Sequence, residues 1–193
     1  MSPRTDKQNR ALREESQARL LDSALRLFAR EGYERTTVRM IAEDAGVAQG
    51  LLYNYFDGKE GLLRALFERS MRDVAESFAL AGDDPDPRVR LAHYIRGSFA
   101  VLRRNLSFWR LSYHVRMQPG VAEGLGPKLA EWTAAIRAEL ERHMVAIGRP
   151  DPAVEAEILF ALIDGVSQHY VLEPETYPLD AVADRIVALY TGE

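Results

Sequence analysis

Cysteine is absent from this chain of 193 residues, so disulfides, thiolate zinc sites and a cysteine nucleophile are excluded. Long apolar runs are absent too, since no stretch approaches the roughly 20 residues that a membrane helix needs. The N-terminus, Met1-Ser2-Pro3-Arg4, is not followed by the apolar segment of a signal peptide. These absences predict a cytoplasmic protein that has no membrane partner.

An excess of basic charge, which nucleic-acid-binding proteins usually carry, is missing as well. The formal net charge is −4. Its distribution is uneven, because residues 1–60 hold ten basic and ten acidic side chains, whereas residues 61–193 account for the whole −4. The N-terminal third is therefore neutral, and any binding to DNA there must rely on a few aimed contacts.

The one local excess of positive charge lies at the N-terminus, where four basic residues accompany a single Asp6: Arg4, Lys7, Arg10 and Arg13. We expect this tail to be mobile without DNA and to reach backbone phosphates or the minor groove when DNA is bound. The alternative is a flexible charged tail with no partner.

Catalytic and metal-binding patterns are not found. The four histidines, His93, His114, His143 and His169, are far apart and form no His-x3-His or His-Glu-x2-His pair, and neither a Gly-x-Ser-x-Gly elbow nor a P-loop occurs. Asp164 stands out among the carboxylates because it lies within an apolar stretch, and we expect it to have a helix-packing or capping role. The sequence thus predicts no enzyme, no metal site and no cofactor.

The most informative segment runs from Thr36 to Lys59 and predicts two short helices joined at Gly46. The Thr36/Thr37 pair can cap the first helix, which buries Val38, Ile41, Ala42 and Ala45 at helical spacing. Gly46 suits the left-handed position after a helix, where a β-carbon is penalised. The second helix, about 49–56, buries Leu52 and Phe56. This is a helix-turn-helix arrangement, although Gly46 could instead end one helix of an ordinary all-α core.

The segment and its surroundings form a pattern over about fifty residues, which consists of Leu20-Leu21, Ala24, Leu27-Phe28, Gly32-Tyr33, Thr36-Thr37-Val38, Ile41-Ala42, Ala45-Gly46-Val47, Gly50, Leu52-Tyr53, Tyr55-Phe56 and Lys59. This pattern resembles the TetR family of bacterial one-component transcription regulators. The remainder agrees with that family in length and helix content but has no motif of comparable specificity.

The resemblance implies an all-α fold. An N-terminal three-helix, helix-turn-helix DNA-binding domain, residues 1–58, is expected to be joined by a long helix to an α-helical ligand-binding and dimerisation domain, residues 59–193. It also implies a ligand-responsive regulator, most simply a repressor that binds a palindromic operator in double-stranded DNA and is released by a small-molecule effector. The alternative is a small helical-bundle enzyme or carrier that uses an apolar pocket and has no DNA role.

Residue chemistry and the resemblance together assign the DNA-binding side chains. Tyr53 and Lys59 match family positions that clamp phosphates, and Thr37 is expected to contact phosphate as well as to cap. Glutamine and asparagine amides match adenine's donor and acceptor pair, and leucine can touch a thymine methyl. The base-reading candidates are Arg39, Gln49, Leu51 and Asn54, and the full predicted surface is Thr36, Thr37, Arg39, Gln49, Gly50, Leu51, Tyr53, Asn54, Tyr55 and Lys59.

Two positions depart from the common family pattern. Tyr55 stands where a histidine is frequent, which keeps a phosphate hydrogen bond available but removes any titration near neutral pH. Ala48 stands where serine or threonine often caps the recognition helix, so we expect that cap to be missing, at a cost of about 1 kcal/mol.

Periodicity and helix breakers predict nine helices and no strand. The breaks are the segment 82–87, a Pro/Gly-rich link that starts at Gln118 and extends to Pro127, the segment 148–152 and the segment 173–178. The predicted helices are 14–31, the two of the motif, 58–80, 88–104, 107–117, one ending near 147, one ending near 172 and one ending near 190.

Two roles are expected for the larger domain. By analogy with the family, the helices at about 152–172 and 178–190 pair with their copies in a homodimer, supported by broad apolar surfaces that could also belong to a monomer's core. Apolar bulk on the preceding helices predicts a pocket for a hydrophobic or amphipathic molecule, although most of these residues are expected to be plain core. The predicted ligand contacts are Phe99, Leu102, Phe108, Trp109, Tyr113, Met117, Trp132, Ile136 and His169.

Overall fold

The computed structural model describes residues 6–79, 84–116 and 121–192, except for the side chains of a few residues within the helices. The described residues form nine α-helices and no strand, as the sequence predicts. The helices are α1 (Asp6–Glu31), α2 (Val38–Asp44), α3 (Gln49–Tyr53), α4 (Gly58–Ala79), α5 (Pro87–Arg104), α6 (Leu106–Arg116), α7 (Val121–Ala146), α8 (Pro152–Leu172) and α9 (Leu179–Thr191).

The first helix begins earlier than predicted, at Asp6 rather than near residue 14. The expectation of a mobile tail is therefore wrong for residues 6–13, while Arg4 lies outside the described residues. The physical reason is that Ala11 and Leu12, with the long charged side chains around them, are good helix formers, and adding residues to an existing helix costs much less than nucleating one.

The seventh helix also begins earlier than predicted, at Val121, and takes in Pro127 and the two glycines before it. Part of the predicted link is thus helical, and the rest of it lies outside the described residues. Proline removes one helical hydrogen bond, but Leu129 and Trp132 on the following turns pack against a buried cluster of α1, α4 and α6. Tertiary burial overrides the local preference.

The helices enclose two buried clusters. We call the first the N-terminal core. It is formed by α1, α2, α3, α4 and the inner face of α6, and its fully buried members include Leu20, Ile41, Leu52, Leu66 and Phe108. The second, the C-terminal core, is formed by α5, α8, α9 and the end of α7, and it includes Leu91, Ile95, Leu140, Met144 and Leu159.

The predicted division after residue 58 falls at the first residue of α4, whose residues Leu62, Leu66 and Phe67 belong to the N-terminal core. Phe108 and Leu111 of α6 enter the same core. Two helices beyond residue 58 therefore contribute to the packing of the first three. None of the described helices combines the length and apolar character needed to cross a membrane.

Candidate nucleic-acid interface and ligand cavity

The turn between α2 and α3 forms as the sequence predicts. The Thr37 hydroxyl accepts a hydrogen bond from the Met40 amide at 3.2 Å and caps α2. Gly46 has φ +65°, and its amide and that of Val47 donate to carbonyls of the last turn of α2. Ile41 and Ala42 are buried, so α2 is held against α1 while Arg39, Glu43 and Asp44 face outward.

Thr36 has a different position from the other predicted DNA contacts. Its residue is 1% exposed, and its hydroxyl donates to the carbonyl of Gly32 at 2.8 Å, with the Leu27 carbonyl at 3.3 Å. These bonds tie the start of α2 to the end of α1. The structure thus places the Thr36 side chain in the support of the motif and not on its outward surface. Its hydroxyl is paired inside the protein, as a buried hydroxyl must be.

The recognition helix α3 is short, five residues instead of the predicted eight, because the chain turns after Tyr53. Leu52 is fully buried and anchors it. Ala48 occupies the N-cap with no side-chain hydrogen bond, so the predicted absence of a cap is confirmed. Gln49, Gly50 and Asn54 are exposed, Tyr53 is 57% exposed, and Leu51 is half-buried.

Tyr55 follows α3 and is half-buried beside Phe56, with ring centroids 6.4 Å apart. The guanidinium of Arg13 lies 5.4 Å from the centre of the Tyr55 ring. This cation–π contact, which sequence reasoning missed, joins the early turns of α1 to the end of the motif. Arg13 is exposed there, so α1 adds positive charge next to the recognition helix.

Lys59 lies at the start of α4 and is turned toward the loop between α1 and α2. Its Nζ donates to the carbonyls of Tyr33 at 2.9 Å and Glu34 at 3.3 Å, and it lies 4.3 Å from the centre of the Tyr33 ring. Burial, with smaller contributions from Glu60 and Glu34, raises the pKa of Tyr33 to about 12. The Tyr33 ring therefore stays neutral under the ammonium, and Lys59 binds the loop to α4 whatever else it contacts.

Arg39, a predicted base reader, is engaged with its own helix. Its Nε lies 2.7 Å from Oε1 of Glu43, one turn further along α2. Both side chains are well exposed, and an exposed pair of this kind contributes little to stability. Arg39 can therefore leave Glu43 for a phosphate or a base edge at small cost.

A cavity of about 130 Å³ lies in the larger part of the molecule, between α4, α5, α6, α7 and α8. Predicted contacts that line it are Leu102, Trp109, Tyr113, Trp132 and Ile136. Other predicted contacts do not line it: Phe99 is in the C-terminal core, Phe108 in the N-terminal core, and His169 is exposed and stacks on Tyr177. Met117 lies outside the described residues.

Sequence reasoning missed the cavity residues of α4 and α8. Phe67 and Met71 line it from α4, and Phe160, Ile163 and Asp164 from α8. The available signal was Asp164, a carboxylate in an otherwise apolar helix. Predicted to pack or cap, it joins α8 to α6 through a polar cluster, and it also lies at the cavity wall, which the sequence did not indicate.

That cluster contains both Asp164 oxygens. Oδ1 accepts from Arg116 at 3.2 Å and lies 3.3 Å from the Tyr113 hydroxyl, and Oδ2 accepts from Gln168 at 2.9 Å. Burial, assisted by the Asp164 charge, raises the pKa of Tyr113 well above its ordinary value, so this phenol remains protonated and can donate. Carboxylate and guanidinium compensate each other's charge.

The Trp109 indole presents the opposite situation. Its Nε1 is buried and has no hydrogen-bond partner among the residues that the structure describes. Trp109 is at the boundary between the two cores and also lines the cavity. As for metals, no group of three or more His, Cys, Asp or Glu side chains in the described ranges is placed to hold an ion.

Comparisons with known proteins agree with this geometry. A family model described as bacterial regulatory proteins, tetR family, matches residues 20–66. A second, described as the tetracyclin repressor-like C-terminal domain, matches residues 92–192. The HTH-type transcriptional regulator BetI of Burkholderia lata is 31% identical over 112 residues, covering 53% of this chain and 58% of that protein. The chain thus spans under three fifths of this relative's length.

Solved structures show the same fold. The fatty acid degradation regulator FadR from Bacillus halodurans has a TM-score of 0.78 at 22% identity, covering 92% of this chain and 95% of its own. The regulator FadR from Bacillus subtilis, in complex with stearoyl-CoA, has a TM-score of 0.74 at 21% identity, covering 91% and 98%. Because the N-terminal and C-terminal family models both match this chain, one after the other, the protein belongs to the TetR family of bacterial regulatory proteins, whose members are transcriptional regulators and not enzymes.

Proposed function

We propose that the protein is a repressor that binds a palindromic DNA operator as a homodimer and releases it when a small hydrophobic effector enters the cavity. The observation that carries the DNA-binding role is the exposure pattern of α3. Gln49 and Asn54 present their amides to the outside while Leu52, between them, is fully buried. A helix held in this way can enter a major groove, where such amides pair with adenine.

The homodimer is supported by an apolar face on α8. Val154, Ile158 and Leu162 recur every four residues and are exposed, Ile158 to 48%, and Leu172 at the end of the helix is 75% exposed. Leu189 of α9 is also exposed. A contiguous apolar face of this kind on a globular protein marks an interaction surface, and a two-fold pair reads two half-sites about one helical turn apart.

Coupling between cavity and DNA is supported by the two faces of α6. Trp109 and Tyr113 line the cavity, whereas Phe108 and Leu111 belong to the N-terminal core. Phe67 of α4 lies at the same junction, its ring 5.0 Å from that of Phe108 and stacked at 6.1 Å on that of Trp132. An effector that displaces α6 would shift the N-terminal core and with it the spacing of the two recognition helices.

The size of the effect is bounded by the effector's preference for one state. A molecule that binds the released state tenfold more tightly shifts the equilibrium tenfold and no further. The Bacillus subtilis neighbour, which holds stearoyl-CoA in the same fold, supports the use of this domain for small molecules. As bacterial DNA is cytoplasmic, the proposal places the protein in the cytoplasm.

Selection from random-sequence DNA at moderate salt tests the DNA-binding role. The wild-type protein is expected to enrich a palindrome. Gln49→Ala should alter the preferred bases, since a bidentate amide–adenine pair contributes about 1–3 kcal/mol of discrimination, and Tyr53→Phe should weaken all sequences alike. If wild type enriches nothing, the proposal fails, and an unchanged motif with Gln49→Ala refutes the base-reading assignment.

A matched pair of arginine truncations supplies the control. Arg39→Ala removes a guanidinium from the motif, and Arg88→Ala removes one from the first turn of α5, outside the motif. Only the first is expected to lower affinity or reduce its dependence on salt. Equal losses would indicate that the effect is one of overall charge.

A further inference from the structure

If the cavity is the effector site of the proposed function, its charge and hydrogen bonding define which effector it can bind. Its lining is mostly apolar and aromatic, and its charged members are Arg116 and Asp164. These two form an ion pair at 3.2 Å, and Gln168 and Tyr113 complete the carboxylate's surroundings. Among the described residues of the lining, a charged molecule would find no unpaired counter-ion, and burying an unpaired charge is costly.

The other polar groups of the wall are mostly occupied. The Ser98 hydroxyl donates to the Tyr94 carbonyl at 2.9 Å, and Thr133 donates to the Leu129 carbonyl at 2.8 Å. By contrast, the Trp109 Nε1–H is a buried donor with no acceptor among the described residues. A buried donor left unpaired costs free energy. The Nε1 atom has almost no accessible surface in this structure, so an acceptor in the cavity reaches it only when the indole ring shifts, and the hydrogen bond then recovers that cost.

The volume limits the size of the molecule. The cavity measures about 130 Å³, close to the engineered apolar cavities of about 150 Å³ that bind benzene. It is smaller than the pockets of about 300–1,000 Å³ that hold drug-sized ligands. The aromatic walls, which include Phe67, Trp109 and Trp132, suit the faces and edges of a single ring.

We propose that the effector is an uncharged, single-ring compound that carries one hydrogen-bond acceptor, and that the acceptor is bound by the Trp109 Nε1–H. The ring fills the apolar part between α4, α7 and α8. The Arg116–Asp164 pair closes the polar end and selects against ions of either sign. A cation has the aromatic walls in its favour, but the carboxylate that it would need is already paired.

The chain offers a direct readout, because it contains two tryptophans and both line the cavity. The ¹H–¹⁵N spectrum of the full-length protein therefore has two indole N–H signals, one from each cavity wall. Four one-ring probes of similar size are titrated without DNA: acetophenone, its isostere α-methylstyrene, which lacks the acceptor, benzoate and phenyltrimethylammonium. Trp109→Phe assigns the two signals.

Acetophenone is expected to move the Trp109 indole proton downfield in a saturable manner and to bind roughly three- to tenfold more tightly than α-methylstyrene, as one neutral hydrogen bond requires. α-Methylstyrene should perturb the Trp132 signal without that downfield shift, and both ions should bind more than tenfold more weakly than acetophenone. In Trp109→Phe, acetophenone should lose its advantage, and Tyr177→Phe, which alters a ring outside the cavity, should retain it.

Equal affinity of wild type for acetophenone and α-methylstyrene overturns the role of Trp109, and this comparison needs no variant to fold. Tighter binding of benzoate or phenyltrimethylammonium overturns the neutral class, and no saturable change at either indole overturns the cavity as a one-ring site. None of these results bears on operator selection. If the probes fail to bind but the DNA selection yields a palindrome, this inference alone is refuted. If acetophenone binds as expected but the DNA selection yields no palindrome, the repressor proposal alone is refuted.

Discussion

The missing N-cap of the recognition helix leads to a prediction in which the effects on stability and DNA affinity can be separated. Ala48 already has the extended backbone that an N-cap residue adopts, φ −65° and ψ 139°, and its carbonyl accepts from the Leu51 amide at 2.9 Å. It lacks only a side-chain acceptor for the first amides of α3. Ala48 is exposed, so a larger side chain meets no packed neighbour.

Ala48→Thr should supply that acceptor and stabilise the protein by about 1 kcal/mol. For a chain of this size, such a gain raises Tm by about 2–4 °C. Because α3 has five residues, one capping bond is a large fraction of its own stabilisation. If fraying of α3 opposes DNA binding, operator affinity should rise by up to about fivefold, the equivalent of 1 kcal/mol.

Two further substitutions make the test specific. Ala48→Val has the same shape as the threonine variant but cannot accept a hydrogen bond, so it should not raise Tm. Ala48→Asp should raise Tm through the cap and the helix dipole, yet lower DNA affinity because its charge faces phosphates. Thermal unfolding and operator titration measure the two effects. Equal Tm values for the threonine and valine variants would refute the capping argument.

Three other predictions concern the dimer, the motif and the pH dependence of stability. Ile158→Glu together with Leu162→Glu places charge on the exposed apolar face of α8. The mass in solution, measured by light scattering, should fall from that of two chains to that of one, and an unchanged mass would place the interface elsewhere. Lys59→Met keeps the aliphatic stem but removes the ammonium bonded to two carbonyls, and should cost about 1–2 kcal/mol in urea unfolding, whereas Lys59→Arg should lose less. Burial and the nearby Arg90 and Arg142 lower the pKa of His143. The unfolded chain therefore binds more protons than the folded one, and this residue makes stability fall as pH drops below about 6.5. His143→Gln should flatten that part of the curve of stability against pH, and an unchanged slope would contradict the assignment.

His143 also shows how competing contacts are resolved. The Glu139 carboxylate lies 3.5 Å from its Nε2 and would favour the protonated form. The same carboxylate pairs with Arg142, however, and the imidazole is largely enclosed and packed on the Tyr94 ring at 5.2 Å. Burial therefore prevails over the weak pairing, and the direction of the pKa change follows from it.

Local signals in the sequence determined the helix-turn-helix. The Thr37 cap, the left-handed Gly46, the buried Ile41 and Leu52 and the uncapped Ala48 all act within a few residues of one another. Each depends on backbone geometry and helical spacing, which a short stretch of chain specifies without help from distant residues. The order of the nine described helices follows in the same way from periodicity and helix breakers.

Only the tertiary structure decided which side chains are free and which line the cavity. Thr36 and Lys59 have the chemistry of phosphate ligands, but contacts with the α1–α2 loop bury the first and engage the second. Asp164 meets Arg116 across 48 positions of sequence, and Trp109 lacks an acceptor among the described residues because of how α6 lies between two cores. Such facts depend on long-range packing of helix faces, which the spacing of residues along one helix does not contain.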